Sequence, residues 1–387
     1  MALLALKPHF SRFLNARPGR LHFAAHSHHP WPDVSFEAHQ RAWLQAAELI
    51  DLKWDTIFGD IIPETQRHIA RILSLPDPAS IAIAPNTHEF VMRLLSCIRR
   101  RKVRVLTTDS EFHSLSRQLL RLESAGLAQV TRIEVEPFAD FPQRMQAAIA
   151  ESEYDLLYFS QVFFNSGYVI DDITALVNAC PNDKALIAID GYHAFMAMPT
   201  DLSAIAHRAF YIAGGYKYAM AGEGVCFMHC PPGRALRPTD TGWYAEFGAL
   251  GHERRGKVAY GLDGSRFMGA TFDPSGLYRF NAVQRWVQIE RVGPAEIREH
   301  VLELQQYFLR ELDSLEHPHL NRITLRTAPG QANFLCFRTP VAESLSRAWM
   351  NDNIVTDCRA DRLRIGFGIY QGVSDLEGFL RRISRQH

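Results

Sequence analysis

The chain has 387 residues, 47% hydrophobic and 22% charged, with 42 lysines and arginines set against 42 aspartates and glutamates. A net charge of zero leaves no electrostatic footprint for nucleic acid or an anionic membrane, and no apolar run of about 18 residues occurs that could span a bilayer. The length leaves room for one large core and a smaller domain, and six scattered cysteines (97, 180, 226, 230, 336 and 358), most within apolar runs, point to a reduced, cytoplasmic protein.

The opening "MALLALKPHF" is too short in its apolar part for a signal peptide. Residues 1–60 are expected to pack on the smaller domain or on a partner subunit. Within them, "HSHH" at 26–29 is a polar cluster, but adjacent histidines cannot easily converge on one ion, so it reads as a substrate-pocket loop with Ser27 and His28 as candidates. From about residue 64 to 230, helical and strand patterns alternate. "ETQRHIARIL" is helical, "SIAIAP" a strand, "THEFVMRLLSCI" helical, "KVRVLTTD" a strand, "SLSRQLLRLESAG" helical and "VTRIEVE" a strand. "PQRMQAAIAE", "YDLLYFSQ", "ITALVNAC" and "ALIAID" continue the alternation, and "AFYIAGG" and "GVCFMHC" are two strands in succession. Such alternation predicts an α/β fold with a mostly parallel sheet covered by helices on both faces. The basic run "RRRK" at 99–102 reads as a solvated helix end. The spacing of Cys226 and Cys230 lies within a strand and turn and has no matching second pair, so no metal site is expected. After about 275, two long amphipathic helices lead to "ITLRT", "NFLCFRT", a short helix, "LRIGFG" and a final helix. The expected units are therefore 1–60, a large domain over 61–275 and a small α+β domain over 276–387.

In an open parallel sheet, ligands bind beyond the carboxyl ends of the strands. "SIAIAP" delivers Asn86 and Thr87 at a helix start, where they can cap the helix or hold a phosphate. "KVRVLTTD" delivers Asp109, and "ALIAID" delivers Asp190 with His193 three residues on. Asp190 at the end of an apolar strand needs a cation or hydrogen bonds, and a pyridinium N–H or an arginine would serve. "AFYIAGG" delivers Tyr216 and Lys217, the latter either a snorkelling residue or an amine placed for covalent chemistry. A phosphate site, an acid for a ring nitrogen and an amine for an aldehyde are the three handles of pyridoxal phosphate.

"IDGYHA" followed by "AGGYKYAMAGEG" resembles the D-x-x-H … Y-K-Y signature of kynureninase, a fold-type I enzyme of the class V aminotransferase superfamily. "LTTD" at 106–109, "SQVFFNSG" at 160–167, "GWY" at 242–244 and "LRIGFGIYQGVSD" add to the resemblance, which spans about 20–385. It implies a fold-type I homodimer with a pyridoxal 5'-phosphate cofactor and an amino-acid substrate. Lys217 would be the Schiff-base lysine, Asp190 the partner of the pyridine nitrogen, and His193 a neighbour of the ring. Thr87, Tyr216 and Trp243 would hold the phosphate, with Trp243 and Thr271 coming from the partner subunit. Asp109 would lie near the ring's 3'-oxygen side or in the ring's lining, and Arg364 would take the substrate carboxylate as a bidentate fork. Three departures stand out: Leu106 replaces a stacking aromatic, "HSHH" replaces an Asn-Ser-Leu-Gly, and Ala221-Gly222-Glu223-Gly224 replaces a Gly-Gly-Pro-Gly.

The resemblance implies a hydrolase that cleaves Cβ–Cγ of kynurenine or a related β-acyl alanine, with Tyr216 as proton donor. Trp31, Phe163 and Phe164 are candidate aryl contacts. The alternatives are a desulfurase or other β-eliminating lyase of the same superfamily, which would need a mobile cysteine near Arg364, and an aminotransferase. Cys358 is near the place required, whereas Cys336 sits in a strand. A non-catalytic regulator is disfavoured because Lys217, Asp190 and Arg364 are all present.

Overall fold

The computed structural model describes residues 4–151, 153–252, 258–327 and 332–384. The N-terminal stretch contains α1 (Ser11–Asn15), β1 (Leu21–His22), α2 (Val34–Leu49), α3 (Lys53–Thr56) and α4 (Ile62–Ile72). The alternating region follows as β2 (Ile81–Ala84), α5 (Thr87–Ser96), β3 (Val103–Thr108), α6 (His113–Ser124), β4 (Ala128–Ile133) and α7 (Phe141–Glu151). It continues with β5 (Leu156–Ser160), α8 (Ile173–Asn178), β6 (Leu186–Asp190), β7 (Phe210–Gly214) and β8 (Cys226–His229). The last part holds α9 (Ser275–Ile289), α10 (Pro294–Leu315), β9 (Phe334–Arg338), α11 (Ala342–Asn351), β10 (Ile354–Val355), β11 (Asp357–Arg359), β12 (Arg362–Gly366) and α12 (Val373–Ile383).

Seven strands form the central sheet in the order β2-β8-β7-β6-β5-β3-β4. The block from β7 to β4 is parallel, and β8 alone runs against its neighbours β7 and β2. The expected mostly parallel α/β sheet is therefore present, with one antiparallel strand where the two successive strands stood in the sequence. Every residue of β5, β6 and β7 is buried, as near-continuous apolar runs require when helices cover both faces. Because β2, β3, β5, β6 and β7 point the same way, their carboxyl ends share one edge.

A smaller antiparallel sheet, β11-β12-β9, lies in the C-terminal part, and β1 pairs in parallel with β10. "ITLRT" does not form a full strand. It contributes only an isolated bridge between Leu325 and Phe337. Asn321 Oδ1 accepts from the backbone N–H groups of Ile323 and Thr324, which diverts the start of the segment from a ladder.

Two main cores follow the two sheets. The larger gathers the central strands with Leu6, Phe10 and Ala25, and also takes Leu277, Phe280 and Val283 of α9. The boundary expected at 276 thus falls within a helix whose buried face belongs to the larger core. The smaller core runs from Val301 to Ile383 and receives Phe23. Between them, Val162, Val169, Ala194, Phe334 and Cys336 join the carboxyl edge of the large sheet to β9. Among the described residues no helix is long and apolar enough to cross a membrane.

Candidate active site

A cavity of about 200 Å³ opens at the carboxyl edge of the central sheet. Each neighbouring strand contributes to it. Asn86 and Thr87 follow β2, Ser160 ends β5, Asp190 ends β6, and Tyr216 and Lys217 follow β7. Two glycines allow this approach. A Cβ on Gly214 would meet Tyr192 Oη at 2.1 Å and the Val225 carbonyl at 2.7 Å. Gly222, at φ +72°, adopts a backbone conformation that side chains disfavour, and a Cβ there would strike the Trp31 ring at 2.3 Å.

Lys217 is 7% exposed. Its Nζ donates to the His26 carbonyl at 3.0 Å and lies 2.9 Å from His193 Nε2. Burial, followed by the positive charge of Arg364, pushes the amine well below its ordinary range, against the opposing pull of Asp190. Desolvation wins because the lysine has no carboxylate in direct contact. His193, also depressed by burial and by Lys217, has a buried Nδ1 with no hydrogen-bond partner.

Asp190 accepts from Tyr192 N at 2.9 Å and from Tyr158 Oη at 3.2 Å. Burial still raises its carboxyl above the usual range, the two hydrogen bonds and Lys217 notwithstanding. A buried carboxylate that lines a cavity and lacks a direct counter-ion suits a ligand N–H. Asn86 caps α5 by accepting from Glu89 N at 3.2 Å, and Thr87 Oγ1 lies 3.7 Å from Cys226 Sγ. The unpaired N–H groups of that first turn and the positive end of the helix dipole suit an anion. Amine, acid and helix start thus fit pyridoxal phosphate on chemistry and placement together.

Of the residues singled out in the sequence, the cavity brings together Asn86, Thr87, Asp190, His193, Tyr216 and Lys217, with Phe164 from the aryl candidates. Asp109 does not line it. Its carboxylate faces away, accepting from Val135 N at 3.1 Å and Ser110 Oγ at 2.8 Å to close the turn after β3. Ser27 and His28 do not line the cavity. His28 is exposed and stacks on Tyr216 at 5.1 Å, while His26 supplies the contact to Lys217. Trp243 and Thr271 lie outside this chain's own cavity, and Trp243 is 41% exposed against Tyr244 and Phe247. Phe163 and Trp31 belong to packing around the site, and neither lines it.

Arg364 lies behind Phe164. Its guanidinium donates to the Phe164 carbonyl, pairs with Asp357 and stands over the rings of Phe164 and Phe334 at 5.8 and 5.7 Å. Burial lowers it to about 10.

Phe112 and Glu111 were among the residues missed. Phe112 adds an aromatic ring to the cavity from the β3 side, whereas Leu106 is buried in the sheet. An aromatic residue just before the helix after β3 was the available signal. Glu111 is buried beneath Ser160, accepting from Ser160 Oγ at 2.6 Å, Ser160 N at 3.1 Å and Thr108 Oγ1 at 2.7 Å. Burial pushes it up to about 8 despite those donors, with the Asp190 charge adding to the rise. No spacing marked it, since its partners come from β3 and β5.

A family model for aminotransferase class-V matches residues 51–347. The chain resembles isopenicillin N epimerase of Streptomyces clavuligerus at 26% identity over 192 residues, so it spans about half the length of that relative (47%). Among solved structures, the apo cysteine desulfurase of Thermococcus onnurineus NA1 superposes with a TM-score of 0.80 at 16% identity, covering 100% of this chain and 99% of that one. The cystine C–S lyase C-DES, in complex with its reaction product cysteine persulfide, gives 0.76 at 16% identity, covering 96% and 98%.

Proposed function

The chain belongs to the aminotransferase class-V family, whose cofactor is pyridoxal 5'-phosphate, and we propose that it is a β-eliminating carbon–sulfur lyase acting on an amino acid. The observation that carries the chemistry is the buried Lys217 amine, set between His26 and His193, with its pKa lowered by burial, and facing the same cavity as Asp190. When bound, the cofactor ring acts as an electron sink for charge developing at the substrate Cα. Lys217 Nζ is then the base that receives the Cα proton. Asp190 would hold the ring N–H, and the α5 N-terminus with Asn86 and Thr87 would hold the phosphate. Arg364 takes the substrate carboxylate, which fixes the bond at Cα that is broken. Tyr216, whose hydroxyl burial keeps protonated, can donate to a departing group.

The lyase reading is supported by the overall likeness to a cysteine desulfurase and a cystine C–S lyase. A persulfide relay on the protein itself has less support, because no cysteine among the described residues lines the cavity. Cleavage in this reading turns an S-substituted cysteine and water into a thiol, pyruvate and ammonium. A second reading, kynureninase-type hydrolysis, is favoured by the aromatic lining of Phe112, Phe164, Tyr192 and Tyr216. The active unit is proposed as a homodimer in which Trp243 and Thr271 approach the partner's cavity.

Holoenzyme incubated with cysteine, cystine, selenocysteine, kynurenine and alanine, with product identification, tests these readings. Pyruvate with sulfide or persulfide from a sulfur amino acid is expected, and Lys217→Met should abolish it. Alanine plus an aryl acid from kynurenine would replace the lyase with the hydrolase.

A further inference from the structure

The antiparallel register of β11 and β12 sets Asp357 directly opposite Arg364. Cross-strand partners share one face of the ladder, so the carboxylate and guanidinium meet by backbone geometry and form an ion pair. The arginine side chain is 3% exposed and the aspartate 13%. Arg364 also donates to the Phe164 carbonyl, and its Nε has no hydrogen-bond partner. The group proposed to receive a substrate carboxylate therefore already holds one from its own chain.

Asp357 has other neighbours. His26 Nε2 lies 3.5 Å from Oδ2, and Arg359 Nε lies 3.7 Å from Oδ1. The buried His26 ring is stacked on Phe334 at 4.4 Å, and neither of its nitrogens has a hydrogen-bond partner. A carboxylate that released Arg364 would thus keep two polar partners, which makes the exchange feasible in a buried setting. We propose that Asp357 competes with the substrate carboxylate for Arg364 and so sets how strongly a carboxylate ligand must bind to enter the site. The competition weakens small, generic carboxylates, because each must displace a carboxylate whose local concentration is fixed by the strand pairing. An amino acid overcomes it with the additional contacts its amino group and side chain make in the cavity. This inference rests on Arg364 being the carboxylate site.

The test is calorimetric binding of propionate, an unreactive monocarboxylate, to the holoenzyme. Asp357→Asn should bind propionate about tenfold more tightly than the wild type, the factor expected when one competing charged contact is removed. Its melting temperature should fall by several degrees, because a buried guanidinium loses its counter-charge. Asp357→Ser serves as the second variant, and a cooperative melt establishes that each is folded. Unchanged or weaker binding in the folded variants would overturn the inference and make Asp357 a mere support for Arg364. Arg364→Lys separates the premise from the inference. If it binds propionate as the wild type does, Arg364 is not the carboxylate site and both fall. If it loses propionate while Asp357→Asn gains nothing, only the competition falls.

Discussion

Lys217 and Glu111 are both buried and ionisable, and burial drives each toward its neutral form. For the lysine that means an amine facing the cavity that gives up its proton more readily than an exposed one. For Glu111 it means a carboxyl that titrates near 8 although Thr108 and Ser160 donate to it. Its folded value lies above the ordinary 4.5, so the folded state binds more protons than the unfolded one between those limits. The stabilisation from Glu111 is fully present below the unfolded value and is lost as pH rises through the folded one. Cofactor-free wild type should therefore lose melting temperature relative to Glu111→Gln as pH climbs from about 5 to about 9. A difference that stays constant across that range would show that the donors keep Glu111 ionised throughout.

The β11–β12 hairpin decides at the level of an element which cysteine could serve chemistry. Because side chains alternate along a strand, Asp357 facing Arg364 forces Cys358 to the opposite face. Cys358 pairs with Leu363, packs against the smaller core and donates to the Ala360 carbonyl at 3.4 Å. Cys336, opposite Arg364 on β9, shares the arginine's face but is fully buried, with its thiol pushed up to about 11. Cys358→Ser should accordingly change turnover by no more than about twofold, as substitutions away from a site generally do. Loss of activity together with a persulfide on wild-type Cys358 would require the hairpin to shift register and would restore a desulfurase relay.

Across the whole molecule, large apolar side chains remain outside both cores. Along α2 and the turn after it, Trp43 is 69% exposed and Leu44, Ile50 and Leu52 are similarly open, while Trp243 and Phe247 protrude elsewhere. Trp243 and Thr271 stand apart from their own chain's cavity, which a partner subunit's approach would explain. Sedimentation should give a dimer, and Trp243→Ala should weaken cofactor retention by about fivefold to tenfold, as loss of one aromatic contact would. A monomer that holds cofactor as tightly in Trp243→Ala as in the wild type would remove the partner from the site.

Local pattern carries whatever depends on residues close in the chain. The alternation of strands and helices, the helix start at Asn86 and Thr87, the acid ending β6 and the lysine after β7 were all legible, because period and strand ends are short-range properties. What the sequence could not show is which side chains turn inward where separate segments meet. His26 rather than its exposed neighbour His28 reaches Lys217, since the loop enters from the far end of the chain. Glu111 is buried by strands β3 and β5 together, and Asp109 turns away to close its own loop. The register of β11 on β12 joins Asp357 to Arg364 and turns Cys358 from it, and a shift of one residue would reverse both. The alternation of apolar strands with amphipathic helices determined that a buried parallel sheet would form, and the packing of distant segments across its carboxyl edge decided which charges meet there.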